Sequence, residues 1–183
     1  MPKTEIAAKN NKVLLVQPPS RATTPRPPLG LMYLSSFLTR EGIDNDIIDI
    51  KGGEHIDIIL DRILSRITDA CADIIGITCL VTEIEIIENM CRKIKEAKPG
   101  AILVLGGAQA SSHPEHFINA KGYIDYFVIG EGEITFTEFI KSARRNNNNH
   151  DEIRKVEGLA WFDSGEIKKS KPRELINDLD NLP

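Results

Sequence analysis

Asp125-Tyr126-Phe127-Val128-Ile129-Gly130-Glu131-Gly132-Glu133 is an apolar run that ends abruptly in two glycines, each followed by a glutamate. Ile134, Phe136, Phe139 and Ile140 then recur at helical spacing. The stretch reads as a buried strand, a tight loop and a helix start. Glycine carries no side chain, so its backbone can approach a flat ligand closely. The two glutamates make a bare phosphate a poor match, and the loop points to something large and mostly neutral.

Working outward, four more apolar runs read as strands: Val13–Gln17, Asp46–Ile50, Ile74–Thr78 and Ile102–Leu105. With Tyr126–Ile129 they make five. Most are continuous Val/Ile/Leu stretches without polar alternation, the signature of a parallel sheet covered on both faces. Helical patterns fill the gaps. Leu31, Leu34, Phe37 and Leu38 share a face, between Pro28 at a helix start and Gly42 at its end. Ile59, Leu60, Ile63, Leu64 and Ile67 form a second stripe, and Ile87, Met90, Cys91 and Ile94 a third, stopped by Pro99-Gly100. Thr82 with Glu85, and Ser112 with Glu115, read as capping boxes. The fifth helix runs from near Ile134 to Arg145.

The alternation predicts an α/β, flavodoxin-like doubly wound sheet of five parallel strands in the order 2-1-3-4-5. Residues 1–12 read as a flexible N-terminus and residues 13–145 as the Rossmann-like domain. Asn146-Asn147-Asn148-Asn149 reads as a loop. Val156–Phe162 and Glu166–Ser170 flank Asp163-Ser164-Gly165 as a β-hairpin within residues 146–174. Residues 175–183 read as a linker.

A chain of 183 residues is one domain, long enough to bury on the order of 70% of its unfolded surface. The net charge of -4 disfavours a nucleic-acid partner. No run approaches the roughly 20 apolar residues of a membrane helix, and the polar start is not a signal peptide, so a cytoplasmic location is expected. Cys71, Cys79 and Cys91 have neither the pairing of a disulfide framework nor the short spacing of a metal cluster. Cys71 and Cys91 sit on helical patterns and read as core residues; Cys79 falls in a loop. His55, His113, His116 and His150 read as solvated, and His113 and His116 lie too near Pro114 for the usual helical metal pair.

In such a sheet a ligand binds at the carboxyl ends of the strands. Four loops meet there: Gln17-Pro18-Pro19-Ser20-Arg21, Thr78-Cys79-Leu80-Val81-Thr82, Gly106-Gly107-Ala108-Gln109-Ala110-Ser111 and Gly130-Glu131-Gly132-Glu133. Three are built largely of small residues and together line a groove. The first loop has prolines where a dinucleotide fingerprint needs Gly-x-Gly-x-x-Gly, and no phosphate loop ending in Gly-Lys-Ser/Thr occurs. Gln17 and Thr78 stand where a receiver domain needs acidic residues. Pro18-Pro19 does not supply a flavodoxin's phosphate loop.

With the loops placed, the chain resembles the N-terminal cobalamin-binding domain of the cobalamin-dependent radical S-adenosylmethionine family, in the style of its methyltransferases and anaerobic magnesium-protoporphyrin ester cyclases. The matching pieces are Pro28-Leu29-Gly30-Leu31 with Tyr33-Leu34, Gly42, Gly106-Gly107, Gly130-Glu131-Gly132-Glu133, Glu157-Gly158-Leu159-Ala160 and Asp178-Leu179-Asp180-Asn181-Leu182-Pro183. Thr78 and Leu80 resemble the family's Ser-x-Leu pattern, and Gly106-Gly107-Ala108 its Gly-Gly-Ala turn.

The resemblance implies cobalamin contacts at Pro18, Pro19, Thr78, Cys79, Leu80, Thr82, Gly106, Gly107, Ala108, Gly130, Glu131 and Gly132. It implies no catalytic residue and no metal ligand in this chain. The Asp-x-His-x-x-Gly of other cobalamin domains is missing after the first strand, which implies base-off cobalamin with no histidine on cobalt. The chemistry would belong to cobalt, methylcobalamin delivering a methyl group. The [4Fe–4S] cluster and S-adenosylmethionine would belong to a C-terminal barrel, before which this chain is expected to be truncated. The alternative is a flavodoxin-like interaction or substrate-docking domain without cofactor. A stand-alone corrinoid carrier fits less well, lacking the histidine and trailing a linker.

Overall fold

A computed structural model describes residues 12–19, 27–50 and 54–176. The strands are β1 (Lys12–Val16), β2 (Asn45–Ile48), β3 (Ala72–Thr78), β4 (Ile102–Gly106), β5 (Tyr126–Val128), β6 (Leu159–Asp163) and β7 (Glu166–Lys169). The helices are α1 (Leu29–Arg40), α2 (Ile56–Asp69), α3 (Ile84–Ala97), α4 (Ala108–Ser112), α5 (Gly132–Arg145) and α6 (His150–Ile153), with 3₁₀ turns at Val81–Glu83 and Pro114–Ala120.

One sheet has the order β2-β1-β3-β4-β5-β6-β7. Its first five strands are parallel in the expected 2-1-3-4-5 order. The hairpin is not an appendage. β6 pairs antiparallel with β5, so the hairpin extends the sheet. That pairing covers the β5 edge, whose unpaired amides would otherwise template association. At the other end of β5, the Asp125 carboxylate accepts hydrogen bonds from the Leu103 amide and the Lys95 ammonium, both at 2.7 Å.

Alternate residues of each strand feed two separate cores, as the period of two requires. Leu14, Val16, Ile75, Ile77, Leu103, Leu105 and Phe127 pack under α2 and α3. Val13, Leu15, Ile74, Val104, Tyr126 and Val128 pack under α1 and α5. Gly42, at φ +72°, closes α1 with its amide on the Thr39 carbonyl, a left-handed helix end.

Several local expectations fail. Neither capping box forms. α3 is entered through the Val81–Glu83 turn without a side-chain cap, and Ser112 ends α4 instead of opening a helix. Tertiary packing of the apolar stripe stabilises α3 without the cap. Cys71 lies exposed between α2 and β3, unlike Cys91, which is buried. The asparagine run is a turn with Asn147 and Asn148 at positive φ, and Asn149 caps the short α6 through the Asp151 amide at 2.9 Å. No helix among the described residues is long and apolar enough to cross a membrane.

Candidate functional site

The face under α2 and α3 is filled, whereas the face under α1 and α5 is not. Leu15, Gly76 and Val104 stand side by side across β1, β3 and β4 in register. Gly76 is the low point of that row. A Cβ there would lie 3.0 Å from the Phe136 ring and 3.3 Å from Leu15 Cδ2, so α5 settles close to the sheet only because this position is glycine. Two residues further along, Thr78 pairs with Gly106.

Above this floor a pocket of about 250 Å³ opens at the carboxyl end of the sheet. Its walls include Gly30, Leu31 and Leu34 of α1, Gly107, Gly130, and Gly132 with Phe136 of α5. The volume falls just short of the ~300–1,000 Å³ of pockets that enclose a whole ligand. It therefore suits one part of a larger molecule. Exposed apolar side chains stand at the start of α1, Leu29, Met32 and Tyr33, and after β3, Leu80 and Val81. The charged groups in its lining are Glu131 and Glu133.

Hydrogen bonds lace the loops together. Cys79 donates its amide and its thiol to the Gly106 carbonyl at 2.8 and 3.0 Å. The Gln109 amide donates to the Cys79 carbonyl, and the Gly130 amide to Ser111 Oγ at 2.9 Å. Gly107, at φ +92°, is where the β4 loop crosses the β3 loop. A Cβ would meet Thr78 Oγ1 at 2.9 Å and the Cys79 backbone at 3.0–3.1 Å. Burial pushes the Cys79 thiol up to about 12, so it stays protonated and unreactive.

Of the twelve residues named from sequence, Thr78, Gly106, Gly107, Gly130, Glu131 and Gly132 line the pocket. Leu80, Thr82 and Ala108 are exposed nearby, and Pro18, Pro19 and Cys79 are buried outside its lining. Leu15, Gly30, Gly76 and Phe136 also line the pocket and were not among the site residues expected from sequence. An isolated glycine in a β run is the signal that marks Gly76.

The C-terminal strand of chain beyond β7 returns to this edge. The Ile176 amide donates to the Glu131 carboxylate at 2.6 Å. Arg173 donates to Thr135 Oγ1 at 2.8 Å and pairs with Glu138. The segment 173–176 is thereby strapped to the glycine loop and to the first turns of α5.

The family model of the B12 binding domain matches residues 21–140. The chain is 32% identical over 178 residues to an uncharacterised methyltransferase, PH0819, of Pyrococcus horikoshii, covering 94% of this chain and 37% of that protein. It is 28% identical over 177 residues to the anaerobic magnesium-protoporphyrin IX monomethyl ester cyclase of Synechocystis, covering 92% and 34%. The radical S-adenosylmethionine methyltransferase TsrM of Kitasatospora setae, solved with tryptophan and an S-adenosylmethionine analogue, superimposes with a TM-score of 0.71 at 19% identity. That match covers 88% of this chain and 30% of TsrM. The chain thus spans about a third of the length of the curated relatives it matches.

Proposed function

The chain belongs to the B12-binding domain family, and from that premise we propose that it holds cobalamin for a radical S-adenosylmethionine enzyme, a methyltransferase or a cyclase. The observation that carries this reading is the pocket in which glycines alternate with apolar side chains. Cβ atoms added at Gly30 and Gly130 would point into open space, and at Gly106 and Gly132 would come no closer than 3.8 Å to another atom. These positions are a cradle that larger residues would fill, and it fits the flat nucleotide tail of the cofactor.

In this proposal Leu15, Gly76, Val104 and Phe136 form the floor on which the tail's aromatic base would rest. Thr78 and the exposed amides at the starts of α1 and α5 face its polar part, since the first amides of a helix lack intrahelical partners. The exposed Leu29, Met32, Tyr33, Leu80 and Val81 would offer apolar contacts to the corrin ring. When bound, the cobalt supplies the methyl-transfer or redox chemistry. The chain's own residues bind, orient and shield. No histidine lines the pocket, and the loop after β1 contains none, which supports base-off binding without a protein nitrogen on cobalt.

Residues 175–183 are proposed to lead to the iron–sulfur barrel of a longer cytoplasmic chain. The strap supports this arrangement, because Ile176 leaves from the pocket's own loop.

The test is a hydroxocobalamin titration of the chain followed by electron paramagnetic resonance of the Co(II) form. Saturable binding with no nitrogen superhyperfine splitting is expected. A three-line nitrogen pattern contradicts base-off placement of the tail. Failure to bind at all favours the docking-domain reading.

A further inference from the structure

We propose that His113, Glu115 and His116 form a binding site for one borderline divalent transition ion, with Zn²⁺ as the type case. Pro114 rules out an ordinary α-helical pair, and the structure shows what replaces it. The segment Pro114–Ala120 is a 3₁₀ turn entered from His113. His113 precedes the turn at φ -141°, ψ 64°, and its carbonyl accepts the His116 amide at 3.2 Å, the first i→i+3 bond. His113 and His116 are three apart, and their rings stack with centroids 4.9 Å apart and planes 11° from parallel. Two imidazoles on one tetrahedral ion, bonded at about 2.0–2.1 Å, place their ring centres roughly 5 Å apart. The spacing suits a shared ion, but stacked rings aim their nitrogens side by side, so one exposed ring must turn about its Cβ–Cγ bond to bring its nitrogen onto the ion.

Glu115 supplies the third ligand. Its carboxylate oxygen lies 3.0 Å from His113 Nδ1. Ligand atoms on a tetrahedral ion with bonds of that length are about 3.3 Å apart, so an ion can replace the hydrogen of this contact with little movement. One ligand atom from each of the three residues lies within 4.8 Å of the others. All three side chains are exposed, which leaves them free to close the remaining distance.

The backbone beneath them is fixed. Ala110, Pro114 and Phe117 are buried on either side. Gln109, only 5% exposed, holds its side-chain amide 3.0 Å from His116 Nδ1. The contacting atom is Gln109 Nε2, which also donates to the His113 carbonyl at 3.5 Å. Turning the amide gives up that long bond and lets Oε1 accept from His116 Nδ1–H, the outer contact a ligating histidine has, which leaves the histidine's Nε2 for the ion. Two imidazoles and a carboxylate form a borderline donor set, with a fourth position open to water. None of the three residues lines the pocket, so the site is independent of the cobalamin reading.

The test uses the full chain without cobalamin, carrying Cys71→Ser to remove the exposed thiol. Co²⁺ is the probe. Visible ligand-field bands should saturate at one ion per chain and disappear when Zn²⁺ is added. His113→Ala and His116→Ala should each weaken binding by more than about tenfold, and Glu115→Gln should weaken it less. His55→Ala and His150→Ala should leave it unchanged. The ligand variants should melt with the parent, because the substituted side chains are exposed. No saturable spectrum, or equal affinity in a His113→Ala/His116→Ala double variant, overturns the site.

Discussion

The two faces of one sheet are built from the same strands and do opposite things. Under α2 and α3, every inward position named on β1, β3 and β4 is Leu, Ile or Val: Leu14 and Val16, Ile75 and Ile77, Leu103 and Leu105. Under α1 and α5 the corresponding row is Leu15, Gly76 and Val104, followed by Thr78 and Gly106. The first face is sealed and the second holds a pocket. Because side chains alternate along a strand, one sequence can write a core on one side and a binding cleft on the other. At Gly76 the space is taken by Phe136, and the volume left out lies at Gly30, Gly106, Gly130 and Gly132, where an added Cβ meets nothing closer than 3.8 Å.

The largest expected effect lies on the sealed face. Leu103 is 0% exposed and packs in the core under α2 and α3. Leu103→Ala should cost about 2–5 kcal/mol in urea or thermal unfolding. A cost below about 1 kcal/mol would mean that this face is not sealed and would break the comparison.

Glycines on the open face should divide into two kinds. Gly107 is a backbone requirement, so Gly107→Val should destabilise the unliganded chain by about 1–3 kcal/mol through its left-handed φ, with the contacts at Thr78 and Cys79 adding to that. Gly30 is open space on a helix, so Gly30→Leu should leave the unliganded melting point unchanged or slightly raised. Equal destabilisation by both would erase the distinction between turn and cradle.

A smaller effect concerns the strap. Glu131→Ala removes the acceptor of the Ile176 amide. A net loss of about 1 kcal/mol corresponds to roughly fivefold faster hydrogen exchange at Ile176. Unchanged protection there would show that Arg173 alone holds the segment. The smallest test is chemical. An ordinary thiol, with a pKa of 9.0, is half ionised at pH 9, whereas Cys79 remains protonated at that pH because burial raises it to about 12. Alkylation of the native chain at pH 9 should therefore modify Cys71 and spare Cys79 and the buried Cys91. Fast modification of Cys79 would mean that the β3–β4 lacing opens.

The fold was largely legible because parallel strands buried on both faces are continuous apolar runs, and handedness leaves few ways to order them. The hairpin's docking on β5 was not legible, since edge pairing depends on non-local hydrogen bonds. Thr82 and Ser112 misled because a capping pattern marks a helix start only where the chain enters without an intervening turn. At the site, glycines outside strands announced themselves. Gly76 did not, although Ile-Ile-Gly-Ile-Thr carries the signal of a close approach. Glu131 lines the pocket, and its carboxylate also accepts the Ile176 amide, a partner 45 residues away that the loop pattern does not announce.

The central claim is that the missing volume on the α1/α5 face receives part of a cobalamin. Thermal melts of the parent chain and of Gly30→Leu, each with and without hydroxocobalamin at about a hundredfold excess over the dissociation constant, test it most directly. Binding to the native state alone is worth roughly 2.7 kcal/mol at that excess, and each kcal/mol about 2–4 °C for a domain of this size. The parent should therefore melt roughly 5–10 °C higher with the cofactor, and Gly30→Leu should show little of that rise while melting normally without it. No rise in the parent, or a full rise in Gly30→Leu, would contradict the account.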